Sequence, residues 1–522
     1  MTTETAADGS RSSSSRIRVA IAGGGIAGLA LAAGLAKKQQ HHHHHHHVDI
    51  HVYESVLAYR DVGAGLALHR NAIEAMGLID AELQRAYARK ALRMGEDEDR
   101  TLATEVRLAQ GPHSGQLVAE LGRAKGRKTV SRADLLDGFL ELVPPDCISF
   151  GKKLVGVEER PIPAAGDENY DDDDGDEGAA APLLLTFQDG TRAEADCLLG
   201  ADGVHSFVRR HLLGADHPAT TPKNHDGWQI YRVMVSAEEA RRQINPKWTQ
   251  NVPILLGPRG HVNCIPLNKG TRLSAGVAVR RGGEWAATAT ASTLRSPKDT
   301  DADDCGANGS SRNGNDANNN DKSNGEKQGQ QTPLPLDPGL YADYSEEAQQ
   351  IIRMVAQGDT SASWTLSDHD HAPFYTRPGS AVAILGDAAH AALPFAGNGA
   401  AQALEDAAVL DCLLGAVVDG EQGRGQGRGR RRRKAIEDAL AAYDYVRRPR
   451  SQAVVDIARK FGRIYAYAED GIHEDPPRLR AFFAEMAAFM NDFDVQGQNV
   501  AALERFRMLQ EATTDGVDDA YL

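Results

Sequence analysis

Six residues near the start of the chain, Gly23-Gly24-Gly25-Ile26-Ala27-Gly28, constrain the fold more than any other stretch. They fit G-x-G-x-x-G and sit between an apolar run at 17–22, which reads as a buried strand, and an Ala/Leu-rich run at 26–38, which reads as a helix. A second β-rich run at 48–53 completes a βαβ unit. In such a turn the glycines permit the tight bend, close backbone approach to a pyrophosphate, and close packing of helix on strand. The helix start then offers free N–H groups and a positive dipole end to the phosphates. An acid ending the second strand would hold ribose hydroxyls, and Glu54 stands there, 26 residues after Gly28. The usual offset is ~20. Seven consecutive histidines at 41–47 account for the difference, since 26 − 7 = 19. The apolar stretch 19–36 just reaches membrane-spanning length, but its five glycines suit a strand–turn–helix instead.

At 522 residues the chain has room for two to four domains and a sizeable core. Its 58 Lys and Arg against 73 Asp and Glu leave a formal charge of −15, which argues against a nucleic-acid partner. Five scattered cysteines without a CxxC pair fit a reduced, cytoplasmic protein with neither a disulfide framework nor a metal site. Residues 1–18 are polar and show no secretory leader, and no membrane span is expected. Four biased tracts read as disordered insertions: 41–47, 164–181, 296–332 and 420–434. Metal binding by the histidines, and a localisation or nucleic-acid role for the Arg-rich tract, stay open as sharper readings of two of them. Between these tracts, strands are expected at 183–187, 196–200, 228–235, 252–256, 261–266 and 272–279, with a helical region after Gly399.

Two further stretches carry a family resemblance. Gly200-Ala201-Asp202-Gly203-Val204-His205-Ser206-Phe207-Val208-Arg209 resembles the "DG" motif of FAD-dependent aromatic hydroxylases, the group A flavoprotein monooxygenases. Gly386-Asp387-Ala388-Ala389-His390, followed by Pro394 and Gly397-Asn398-Gly399-Ala400, resembles their "GD" motif. Gly63-Ala64-Gly65-Leu66 and Ala400-Ala401-Gln402-Ala403-Leu404-Glu405-Asp406-Ala407 are most similar to fungal salicylate-hydroxylase-type monooxygenases. The resemblance implies an α/β fold: a Rossmann-like FAD-binding domain, an interleaved sheet-rich substrate domain and a helical C-terminal region. It divides the chain into two FAD-binding parts at 16–110 and 111–215 and a substrate domain at 216–375, followed by the GD segment at 376–415 and the helical region at 416–522.

The same resemblance implies a cycle in which NADH or NADPH, bound transiently, reduces FAD. O2 then forms a flavin C4a-hydroperoxide that hydroxylates a small aromatic, phenolic substrate. The absence of a second G-x-G-x-x-G agrees with a transient nicotinamide. By this carry-over the FAD contacts are Gly23, Gly25, Gly28, Glu54, Gly65, Ala67, Arg132, Asp202, Asp387, Gly399 and Ala400, with Arg209 beside Asp202 in the DG stretch. A helix starting near Ala400 would aim its positive end at the flavin ring, where reduction places negative charge. His390 is expected to support this segment by packing rather than to act as a base.

Arg232, in Trp228-Gln229-Ile230-Tyr231-Arg232, matches an arginine that faces substrate in similar phenol hydroxylases, and a salt-bridged sheet residue is the alternative. Tyr231 is carried beside it as a catalytic candidate, although strand alternation points it to the opposite face. Some relatives have a tyrosine before the proline of a later strand, where this chain has Ile265 before Pro266. Two other functions stay open, a flavin epoxidase or oxidoreductase acting on a non-aromatic metabolite and a binding module without redox chemistry. A homodimer is also left open.

Overall fold

The computed structural model describes residues 16–41, 47–59, 65–93, 101–125, 128–160, 182–267, 270–281, 335–358, 363–420 and 428–514. Most of the histidine run, the acidic and Asn-rich tracts, Gly63 and Ala64 lie outside the described residues.

A five-stranded parallel sheet forms one layer, in the order Val382–Ile384, Cys197–Gly200, Arg16–Ala22, His47–Glu54, Ile148–Phe150. Every neighbouring pair is parallel. Its strands read as apolar runs because both faces are covered. Helix Ile26–His41 packs between this sheet and the 22-residue helix Gly399–Gly420, and Leu29, Leu31, Leu35, Leu404 and Leu410 are fully buried there. Both helices are rich in Ala and Leu, as suits elements that are largely enclosed.

A second, seven-stranded sheet runs Ser363–Thr365, Trp228–Ser236, Arg272–Arg280, Gly260–Leu267, Val252–Gly257, Thr101–Leu108, Leu117–Lys125. It is antiparallel except where Val252–Gly257 meets Thr101–Leu108. One face packs against helix Glu346–Gln357. The other faces the loop Pro394–Ala396 and the long helix Arg428–Tyr465. Because the hairpin Thr101–Lys125 belongs here, the chain enters this sheet before residue 110 and then returns to the parallel one.

The C-terminal region is helical, over Arg428–Tyr465, Pro476–Asn491 and Val495–Thr514. The Arg-rich tract differs from its expected disorder, since its second half opens the first of these helices. Arg and Lys are good helix formers, and Arg433–Glu437 and Lys434–Asp438 pair at i,i+4.

Candidate active site

The glycine turn has the shape its sequence demands. Gly23 adopts φ +107°, and a Cβ there would stand 2.3 Å from the Ala201 carbonyl oxygen. A Cβ on Gly28 would stand 2.1 Å from the Gly23 oxygen, so helix and strand meet at a distance only glycine allows. The Gly24 N–H donates to Glu54 Oε2 at 2.7 Å, and the Tyr59 hydroxyl donates to the Gly24 oxygen at 2.5 Å. Glu54 Oε1 accepts from the Val56 N–H and the Ser55 hydroxyl. A carboxylate has about four acceptor sites, so Glu54 is held rigidly and still has capacity toward a ligand.

Arg132 arrives by a separate route. Strand Lys128–Ser131 pairs with Gly65–Leu66, and Ser131 caps helix Arg132–Leu140 by accepting the Asp134 N–H. This sets the Arg132 guanidinium 4.0 Å from where a Gly25 Cβ would lie. Gly25, Gly65 and Arg132, far apart in sequence, are thereby brought together, and Ala67 follows directly after the short strand Gly65–Leu66.

Asp202 faces inward. It accepts from the Ser206 hydroxyl and from the N–H groups of Phe207 and Val208, capping helix Phe207–Leu213. Burial raises its pKa, against the lowering effect of these bonds. The structure therefore gives Asp202 a part in shaping the DG loop. Arg209, fully buried, donates to the carbonyls of Ala219, Ala388, Ala389 and Asp370 at 2.6–2.9 Å and ties the DG helix to the GD helix Asp387–His390. Burial pushes its pKa down to about 10.

In the GD segment Asp387 is exposed beyond the end of strand Val382–Ile384, and Gly399 begins the long helix with open space where its Cβ would be. His390 turns away and meets Asp406 at 2.6 Å, both being buried. Asp406 also accepts from the Gly386 N–H and from Arg447 Nε, while Arg447 Nη1 donates to Glu405 at 2.6 Å. Arg450 adds a second cation against Glu405. This charge network pins the helix that starts at Gly399. Sequence reasoning saw Glu405 and Asp406 only as motif letters, since their partners lie about forty residues away on another helix.

The two sheets meet at the remaining residues. A Cβ on Gly65 would stand 2.8 Å from Ile265 Cγ2, and Phe395 packs against Trp228 and His261 with centroids 4.5 and 5.2 Å apart. Along strand Gly260–Leu267, alternate residues share a face. His261 lies by the loop before Gly399, Ile265 lies by Gly65, and Asn263 stands between them. Across the ladder Asn263 aligns with Gly276 and then with Arg232. A Cβ on Gly276 would come 2.7 Å from Asn263 Oδ1 and 3.9 Å from Arg232 Nε, so the bare glycine makes room for both side chains. Arg232 is partly buried, lies 5.2 Å from the Trp364 ring, and has no acidic partner among the described residues. Burial alone lowers its pKa to about 10.

Tyr231 does not join it. It points to the far face of the sheet, fully buried near Tyr341, and its hydroxyl accepts from Arg281 at 2.7 Å. The strand's two-residue period separates the pair.

No family model matches the chain. The chain is 30% identical over 499 residues to a 6-methylsalicylate 1-monooxygenase of Aspergillus terreus, covering 95% of this chain and 94% of the relative. The chain belongs to the FAD-dependent monooxygenases of the salicylate-hydroxylase type. A salicylate hydroxylase of Pseudomonas putida is 28% identical, with 86% of each chain covered. Among solved structures, a salicylate hydroxylase in a substrate complex superposes with a TM-score of 0.65 at 25% identity, over 94% of this chain and 98% of the other. The protein is thus an FAD-dependent enzyme. Among the described residues no helix is long and apolar enough to cross a membrane.

Proposed function

We propose that this monooxygenase uses NADH or NADPH and O2 to hydroxylate a small aromatic substrate that carries an anionic oxygen, a phenolate or a carboxylate, and that Arg232 binds that oxygen. One observation carries the reading: a partly buried guanidinium whose Nε is shielded from solvent, on the sheet face that meets Gly65 and Phe395, with no acidic partner among the described residues. An unpaired cation in such a place is costly unless a ligand completes it. The relatives named for 6-methylsalicylate and salicylate act on hydroxybenzoates, the class proposed here.

The glycine turn, Glu54, Arg132 and Asp387 fit the cofactor. Gly23, Gly25 and Gly28 would receive the pyrophosphate at the helix N-terminus, Glu54 one ribose, and Arg132 a phosphate. Gly65 and Ala67 would border the ring from one side, with Gly399 and Ala400 on the other. Asp387 would take a hydroxyl of the ribityl chain, and Asp202 would keep the DG loop in shape. Bound FAD, once reduced, supplies the activation of O2 for transfer of one oxygen atom to the ring. The chain's own contributions are to hold the substrate's oxygen ionised beside Arg232, to place the dipole of helix Gly399–Gly420 near developing negative charge, and to exclude water between the two sheets.

The test is an absorbance spectrum of purified protein followed by NADH and NADPH oxidation with a panel of phenols and hydroxybenzoates. Flavin bands, with reductant consumption accelerated by one aromatic anion and matched by hydroxylated product, are the expected result. Turnover with no preference for aromatic anions would overturn the proposal in favour of a non-aromatic substrate.

A further inference from the structure

Arg232 carries its charge with no acid beside it among the described residues, and the strands on either side show what holds it instead. Its strand, Trp228–Ser236, lies between Arg272–Arg280 and the three-residue edge strand Ser363–Thr365. Arg232 aligns with Gly276 on the first of these, and Ile230 aligns with Trp364 on the second. Ile230 and Arg232 are two residues apart and share a face, so Trp364 is a diagonal neighbour of Arg232 on that same face. The Arg232 Cζ lies over the indole, 5.2 Å from its centroid. On the other flank Gly276 has no side chain, and a Cβ there would stand 3.9 Å from Arg232 Nε. The guanidinium thus has a bare strand on one side and an aromatic face on the other.

Such a partner differs in kind from an acid. A carboxylate would neutralise the cation and take two N–H groups of its fork. An indole face attracts the cation through the ring's quadrupole and takes none of its five N–H groups. Charge and donors both stay available to a ligand, while the ring fixes the plane in which they point. Nε is shielded and has no hydrogen-bond partner among the described residues, which leaves the indole as the group that orients this end of the side chain. Trp364 is itself half-buried against the core between the sheet and Phe395, so it is held in place to do so.

We propose that Trp364 is a positioning residue for the reaction: its indole holds the Arg232 guanidinium in one orientation without neutralising it, and so sets the angle at which an aromatic anion is presented. The inference rests on the placement of that anion at Arg232.

Holoenzyme is titrated with benzoate and 2-hydroxybenzoate, following the flavin absorbance. Trp364→Leu should bind both about 3- to 30-fold more weakly than wild type, the range a cation–π contact is worth, while keeping its FAD. Trp364→Phe, which retains an aromatic face, should recover affinity to within about threefold of wild type. Tryptophan carrying one and then three fluorines, placed at position 364 alone, keeps the shape of the ring and drains charge from its face. Anion affinity should fall stepwise along that series, which a purely structural role would not produce. Equal affinity across the fluorinated series, unchanged affinity in Trp364→Leu, or a Trp364→Phe as weak as Trp364→Leu would overturn the proposal. Should Trp364→Leu not retain FAD, the fluorinated series decides. Arg232→Ala keeps the two readings apart. If it abolishes anion binding while the fluorinated series is flat, the anion site stands and the role of the ring falls. If it leaves anion affinity intact, the anion site falls and the role of the ring with it. Wild type that binds neither anion would overturn both.

Discussion

Glu54 and Arg232 show how differently two charged side chains serve one site. Glu54 is fixed by the backbone N–H groups of Gly24 and Val56, so its carboxylate is set before any ligand arrives. Hydrogen bonds to a charged group contribute about 1.5–3 kcal/mol each, so Glu54→Ala should weaken FAD binding tenfold or more. Unchanged flavin absorbance per protein after gel filtration would refute this. Arg232 instead has no acidic partner among the described residues. Arg232→Ala should retain FAD but lower product formed per reductant consumed about tenfold or more. Chromatographic quantitation of product against NAD(P)H used checks it, and unaltered coupling would remove Arg232 from the substrate side. His261 gives a pH prediction. Its pKa is about 3 when folded against about 6.5 unfolded. The unfolded chain therefore binds more protons in that interval, and stability falls as pH drops below about 6, by up to about 1.4 kcal/mol per unit. Urea titrations at pH 7, 6 and 5 should show this slope, and His261→Leu should flatten it.

Elements differ in how openly the sequence announces them. The turn Gly23–Gly28 and the strand ending at Glu54 were legible because glycine spacing and an apolar run are local signals. The strands at 183–187, 228–235 and 272–279 were legible through alternation, and the structure has them within a residue or two. Thr101–Leu108 and Leu117–Lys125 were not foreseen. The first of them pairs with Val252–Gly257, about 150 residues on, and charged residues such as Glu105 and Arg107 break its apolar pattern. The neighbours of Arg232 were hidden for the same reason: only the ladder between residues 228–236, 260–267 and 272–280 sets His261 and Asn263 on its face. The helix Gly399–Gly420 is likewise fixed from a distance, by Arg447 against Glu405 and Asp406 with all three fully buried. Arg447→Met leaves buried Asp406 with only His390 and the Gly386 N–H, and buried Glu405 without its shortest ion pair, and a loss of about 3–5 kcal/mol is expected. Equilibrium urea unfolding measures it, and a loss below about 1 kcal/mol would mean the network does not anchor the helix.

At the scale of the whole molecule, the biased tracts lie where the described chain has already closed on itself. The Arg160 N–H donates to the Pro182 oxygen at 2.7 Å, so strands Leu154–Glu159 and Leu183–Phe187 are joined just before the acidic tract begins. Replacing residues 161–181 with a four-residue Asn-Gly turn should keep full FAD content and add about 1 kcal/mol through a shorter loop. Loss of flavin in that variant would mean the tract takes part in the fold.

The parallel sheet draws its strands from residues 16–22, 47–54, 148–150, 197–200 and 382–384, and the GD segment follows the last of them. During synthesis the glycine turn therefore leaves the ribosome hundreds of residues before the strand and helix that complete its site. The nascent chain must carry an apolar, half-built sheet through most of translation, exposed to chaperones and to misassembly. Flavin can become a folding ligand only near the end of that interval, so cells short of FAD should accumulate unfolded chain rather than folded apoprotein.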